Sequence, residues 1–287
     1  MNLKMNNFKI TKNSIRWVIA LKEEAQVILD HYKLKLVNEK TIYPIYKNEE
    51  ETHWLIISGI GRNNAAASTA YLYAYSNASK YTSWINIGIA GSGKGNYGEL
   101  YLVDKISTYQ RKTFTYPSTP PKTTLPKMHL FTSNIPISDY STYELIDMEG
   151  SGFFDIASKL TSKEFICLMK VISDGPKNDI KKITKSKISN LIKANLFKII
   201  DVVSYYERLS EEEYQIIDKP KLLNRIKSKW HFSATQSYRL EILLRRVEIF
   251  CNKKDIEKTI KNCETSNCVI NVLNSKIKNN LVNWSKF

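Results

Sequence analysis

Apolar residues follow two rhythms along this chain. In the first part they come in short runs broken by turns. Ile15-Arg-Trp-Val-Ile-Ala20 is such a run and predicts a strand, and Leu21 to Tyr32 then places Ala25, Ile28 and Leu29 at helical spacing. Lys35 to Val37, Ile42 to Tyr46 and Trp54 to Ser58 are β-rich runs separated by polar turns, as neighbouring strands of one sheet would be. Gly59-Ile-Gly61 leads into an alanine-rich helix over Asn63 to Tyr75. Trp84 to Ile89 reads as a buried strand and Glu99 to Ile106 as another. Four prolines (Pro117, Pro120, Pro121, Pro126) interrupt the pattern between Ser107 and Met128 and predict an exposed, mobile loop. Order returns at Leu130 to Ile137 and Leu145 to Glu149, followed by a helix from about Ser151 to Leu160 and a last strand from Phe165 to Ile172. Strand, helix and strand in this order predict an α/β fold with a mixed, mainly parallel central sheet flanked by helices.

Beyond Lys177 the rhythm changes to apolar residues every three to four positions, over Ile188 to Tyr206, Pro220 to Lys227, Tyr238 to Cys251 and Ile256 to Cys263. Composition sharpens the contrast. All ten glycines lie between Gly59 and Gly175, so the last 112 residues avoid the residue that turns require and helices disfavour. Of the formal net charge of +15, residues 1–180 carry +4 and residues 181–287 carry +11. Two domains are therefore expected, an α/β part at 1–180 and a basic helical extension at 181–287. No apolar run reaches the roughly 20 residues that cross a bilayer, and the first residues are polar. A cytoplasmic protein without a membrane partner is expected. Cys167, Cys251, Cys263 and Cys268 form no CxxC pair, and His231 has no companion at metal-ligand spacing, so neither a disulfide scaffold nor a metal site is expected.

Two glycine motifs fail their own structural tests. Gly88-Ile-Ala-Gly-Ser-Gly-Lys-Gly95 nearly matches a P-loop, but Gly95 replaces the hydroxyl that would hold Mg²⁺, and no helix is predicted to begin there. Gly93-Lys-Gly-Asn-Tyr-Gly98 satisfies GxGxxG, yet a strand follows where a dinucleotide site needs a helix. A tight turn between strands accounts for both.

Four segments carry a more specific signal. They are Ile19-Ala-Leu-Lys-Glu-Glu24, then Ser58 to Ala66 (SGIGRNNAA), then Asn86 to Gly91 with Gly98 to Asp104, and finally Asp147-Met-Glu-Gly150 with Ile172-Ser-Asp174. In this order they resemble the nucleoside phosphorylase/nucleosidase superfamily, most closely its methylthioadenosine/S-adenosylhomocysteine nucleosidase branch, over roughly residues 14–176. The resemblance implies cleavage of a purine N-glycosidic bond without a cofactor, and a homodimer. That reaction passes through an oxocarbenium-like sugar while negative charge moves onto the base. It needs a proton donor for the base, acceptors for the ribose hydroxyls and an activated nucleophile.

By the resemblance, Asp174 is the acid that donates to purine N7, and Ser173 orients it. Glu149 accepts from the ribose hydroxyls while Met148 packs on the sugar. Glu24 activates the attacking water, and the positive end of its helix is expected to favour its ionised form. Ala90 and Gly91 match the backbone that approaches the nucleoside, Ile60 lies in the matching turn, and Ile89 stands where the superfamily usually carries a hydroxyl. Phe131, Phe153 and Phe154 are the candidates for stacking on the base, or are core. Arg62 is a candidate phosphate ligand for a phosphorolytic variant, or a solvated cation.

Each acid also has a plain reading: Glu24 and Glu149 as ordinary helix-start acids, Asp174 as a turn residue before Gly-Pro. Their convergence at strand ends, where open α/β sheets bind ligands, favours the functional one. Hydrolysis of a nucleoside such as methylthioadenosine or adenosylhomocysteine is the leading expectation, with phosphorolysis as its alternative. A third is a nucleoside-sensing or nucleic-acid-binding protein that uses Lys/Arg and Trp230, Phe232 and Tyr238 of the tail, although solvated helix faces explain those charges as well.

Overall fold

A computed structural model describes residues 14–109, 114–137, 139–176, 178, 183–217, 220, 222–248 and 250–279. Its contacts divide the chain into two compact units, 1–214 and 215–287. The division expected at residue 180 therefore moves. The helices α4 (Lys185–Ala194) and α5 (Leu196–Ile217) bring Ile192, Ile199, Val203 and Tyr206 into the same core as the sheet, because their apolar faces need that sheet to be buried. Lys181 and Lys182, at the start of the expected basic extension, lie outside the described residues.

In the first unit nine strands form one sheet. In chain order they are β1 (Ile15–Ile19), β2 (Lys35–Leu36), β3 (Ile45–Lys47), β4 (His53–Ile57), β5 (Ser83–Gly91), β6 (Leu100–Ser107), β7 (Lys127–Thr132), β8 (Leu145–Asp147) and β9 (Ile166–Asp174). The order across the sheet is β2-β3-β4-β1-β5-β8-β7-β6-β9, and β9 also pairs with β5. Strands β5 to β9 thus close on themselves, while β1, β4, β3 and β2 extend from β5 as an open wing. The pairs β1–β4, β1–β5, β5–β9, β6–β7 and β7–β8 are parallel; β2–β3, β3–β4, β5–β8 and β6–β9 are antiparallel.

Alternation of side chains feeds two cores. Ile15, Trp17 and Ile19 of β1 pack with Ala25 and Ile28 of α1 (Lys22–His31) and with α4 and α5. Val18, Trp54, Ile56 and Trp84 pack on the other side with Ala65 and Leu72 of α2 (Arg62–Tyr75) and Phe153, Phe154 and Ala157 of α3 (Gly150–Leu160). Every residue of β9 is buried, as in a strand covered on both faces.

Gly93 to Gly98 is a turn between β5 and β6, with the amides of Lys94 and Gly95 donating to Ser92 Oγ. In the proline-rich loop, residues 110–113 lie outside the described residues, and β7 begins at Lys127, inside the expected loop.

The second unit contains α6 (Leu223–Lys227), α7 (Ala234–Glu248), α8 (Lys253–Ile260) and α9 (Ser266–Asn279), sharing a core that includes Leu240, Leu244, Ile256, Ile260, Val269 and Leu273. The helical spacing read from the sequence ends at Cys263, and α9 extends beyond it: Asn267, Asn271, Asn274 and Asn279, poor helix formers, weaken its pattern. Among the described residues no helix is long and apolar enough to cross a membrane.

Candidate functional site

The carboxyl ends of β1, β4, β5 and β9 converge on a cavity of about 300 Å³. Its lining includes Glu24, Ile60, Ile89, Ala90, Gly91, Met148, Glu149, Ser173 and Asp174, residues that lie up to 150 positions apart in the chain. Each acid is nearly sequestered from solvent, Glu24 at 3%, Glu149 at 8% and Asp174 at 3% exposure.

Glu24 follows β1 in the first turn of α1. Its Oε2 accepts from the Leu21 amide at 3.0 Å, capping the helix start, and its Oε1 accepts from the Ile89 amide of β5 at 2.9 Å. One carboxylate therefore straps the helix to the strand beside it. Gly88 is needed for this approach, since a Cβ there would lie 2.8 Å from Oε1. Burial raises the pKa of Glu24 despite the two amide hydrogen bonds and Lys170. The expected effect of the helix end is thus outweighed: desolvation acts on the whole carboxylate, whereas the helix end supplies only partial charge.

Glu149 ends the segment after β8. Its Oε1 accepts from the Gly61 amide at 2.7 Å, and Gly59 and Gly61 hold φ of 77° and 108°, the left-handed backbone that lets the turn after β4 aim this N–H at the acid. Burial and then the charge of Asp147 push the Glu149 pKa up to about 7.

Asp174 is presented by a bulge. Ala90 pairs with Ile172 and Gly91 with Asp174, so Ser173 is the extra residue on β9 and re-aims the acid. Ser173 Oγ donates to Asp174 Oδ1, and Tyr140 donates to Oδ2 at 2.6 Å. A Cβ at Gly91 would meet the Tyr140 ring at 2.6 Å and Asp174 Oδ2 at 2.7 Å, so glycine is required where ring and acid close over the strand.

Sequence reasoning missed three of the residues that matter here. Tyr140, 7% exposed, is the aromatic of the cavity, and Ile135, Pro136 and Ile137 join it from the same loop. Phe153 and Phe154 are core, and Phe131 stacks on Tyr143 with ring centroids 3.9 Å apart. Asp147 and Lys170 form a buried ion pair of 2.8 Å beneath the acids. Burial opposes the charge on Lys170, but Asp147, Glu149 and Glu24 together raise its pKa. Asp147 also accepts from Thr132 Oγ1 and the Gly150 amide. A lysine inside an apolar strand was a legible sign of such a pair.

Arg62 is not among the lining residues. Gly152 lets the start of α2 pack closely on α3, and Asp155, one turn further along, takes the guanidinium at 3.0 Å. Among the described residues no group of three or more His, Cys, Asp or Glu is placed to hold a metal ion.

Solved structures with this arrangement of sheet and helices include nucleosidases. The 5′-methylthioadenosine nucleosidase of Arabidopsis thaliana matches with a TM-score of 0.57 at 18% identity, over 70% of this chain and 99% of that one. The Campylobacter jejuni 5′-methylthioadenosine/S-adenosyl homocysteine nucleosidase matches at 0.54 and 16%, over 69% and 99%. A mutant futalosine hydrolase of Helicobacter pylori matches at 0.52 and 11%, over 67% and 99%. The chain has the nucleosidase fold. Neither a family model nor a curated protein matches it. The nucleosidase fold accounts for about two thirds of the chain, and those neighbours are spanned almost whole.

Proposed function

We propose that the first unit hydrolyses the N-glycosidic bond of a purine nucleoside, with methylthioadenosine and adenosylhomocysteine as the first substrates to try. The observation that carries this reading is the meeting of Glu24, Glu149 and Asp174 at one largely apolar cavity at strand ends. The neighbours' names, methylthioadenosine and adenosylhomocysteine nucleosidase, support the choice of substrate.

In this reading Glu24, made more basic by burial, takes a proton from water as the oxygen attacks the anomeric carbon. The bond from that carbon to the purine nitrogen breaks, and its electron pair moves onto the base. Asp174 delivers a proton to purine N7, and the proton taken by Glu24 balances the one given. Tyr140 and Ser173 hydroxyls orient Asp174 in either state, because a hydroxyl both donates and accepts. Glu149 in its ionised form accepts from the ribose hydroxyls, and Met148 borders the sugar. Phosphorolysis gains nothing from Arg62, whose partner is Asp155.

The test is release of free base from adenosine, methylthioadenosine and adenosylhomocysteine, with and without phosphate, followed by chromatography. Glu24→Gln and Asp174→Asn are each expected to lower turnover about 10²- to 10⁴-fold. Full activity in either variant overturns its role, and a strict need for phosphate overturns hydrolysis.

A further inference from the structure

The second unit carries fifteen Lys and Arg against six Asp and Glu, a net of +9 in 73 residues. Its helices α8 and α9 are joined by the short turn 261–265, and both pack with α7 around one core. Cys263 buries the turn in that core, and its carbonyl accepts from Trp230 Nε1 at 3.0 Å, tying the turn to the segment after α6.

The two faces of α9 differ sharply. Val269, Ile270, Leu273 and Ile277 are buried, whereas Asn267, Asn271, Ser275 and Lys278 are exposed and Asn274 is half-exposed. The spacing i, i+4, i+7, i+8, i+11 makes the second set a single stripe. On the preceding helix, α8 and its end present Lys254, Lys258 and Lys261, which with Lys229 and Arg225 line a groove of about 520 Å³ between α6 and α8. Arg225 pairs with Glu257 at 2.6 Å; among the described residues the four lysines make no ion pair.

We infer that α7, α8 and α9 form a helix-turn-helix unit that binds duplex DNA, with the amide stripe of α9 in the major groove and the lysines of α8 on the backbone. A helix of 14 residues preceded by a short helix and a tight turn is the element such units lay in that groove. Asparagine is the side chain that pairs two-point with adenine N6 and N7, so the chemistry favours A·T-rich sites. The uncompensated positive charge supplies the complementary attraction to phosphate.

The experiment uses the whole protein and fluorescence anisotropy with a labelled A·T-rich duplex, a G·C-rich duplex, and single-stranded DNA and heparin as competitors. The A·T-rich duplex is expected to bind tightest. Because Asn267 Oδ1 accepts from Gln236 Nε2 at 2.8 Å, the test uses the other two asparagines of the stripe: Asn271→Ala with Asn274→Ala should erase that preference, weakening the A·T-rich duplex about tenfold or more while leaving the G·C-rich one unchanged. Lys254→Ala with Lys258→Ala should weaken both equally and lower the log–log salt slope by about 2. Lys254, Lys258 and Asn271 are exposed and Asn274 is half-exposed, and circular dichroism of each variant confirms the helices. Displacement by heparin or single strands as effective as by duplex, or asparagine variants with unchanged affinity and preference, overturns the proposal.

Discussion

A carboxylate removed from water must find compensation, and the three acids of the cavity find it differently. Glu24 has two backbone amides, Glu149 one, and Asp174 two hydroxyls. Glu149 is the least compensated against its surroundings, and its pKa of about 7 makes the folded chain prefer its neutral form. That preference contributes stability fully below about 4.5 and loses it as pH rises through about 7. Glu149→Gln, which keeps the size and an acceptor for the Gly61 amide, is therefore expected to melt higher than the parent at pH 8 and no higher at pH 4, as read by thermal denaturation. If Glu149 must be ionised to hold ribose, kcat/KM should rise with pH through about 7. The positions of these acids were legible because each stands in a short, ordered segment. Tyr140 was not legible: it lies in a loop without periodicity, and only the closure of that loop over Gly91 brings its hydroxyl to Asp174.

Strands here act as rulers for the acids. Gly88 and Gly91, three apart on β5, are the points where the Glu24 carboxylate of α1 and the Tyr140 ring close on the strand. Gly88→Ala meets the carboxylate end of the Glu24 side chain and is expected to cost about 1–3 kcal/mol, because it displaces a buried carboxylate from the Ile89 amide, and to lower turnover; denaturant melts and rate measurements read the two. Beneath the acids, Lys170 of β9 compensates Asp147 with both side chains almost fully enclosed. Lys170→Met leaves that carboxylate alone in the core and is expected to cost about 3–5 kcal/mol, measured by denaturant unfolding. Removing the cation also raises the Glu149 pKa further, so any surviving activity should need higher pH. The strands around these positions were evident from their apolar runs, and the bulge at Ser173 was not, because a bulge is a property of the pairing of β9 with β5 rather than of either strand.

At the scale of the molecule, two kinds of core lie in one chain. The first is a sheet covered by α1, α4 and α5 on one side and by α2 and α3 on the other; the second consists of helices alone. A chain ended at Ile217 keeps every residue of the first core and of the cavity, and is expected to release base from nucleosides at the rate of the whole protein; chromatography of parallel digests checks it. The amino-acid order determined by itself where strands give way to helices, which acids stand at strand ends and how the positive charge is divided. These are local matters of periodicity, turn residues and counting. Only the tertiary structure decided that α4 and α5 belong with the sheet, that Arg62 turns to Asp155, and that Tyr140, Asp147 and Lys170 complete the surroundings of the acids. Those outcomes depend on which buried surfaces and charges meet across long stretches of chain, and although Lys170 stands out within its apolar strand, the partners that packing brings together are not written in the local pattern.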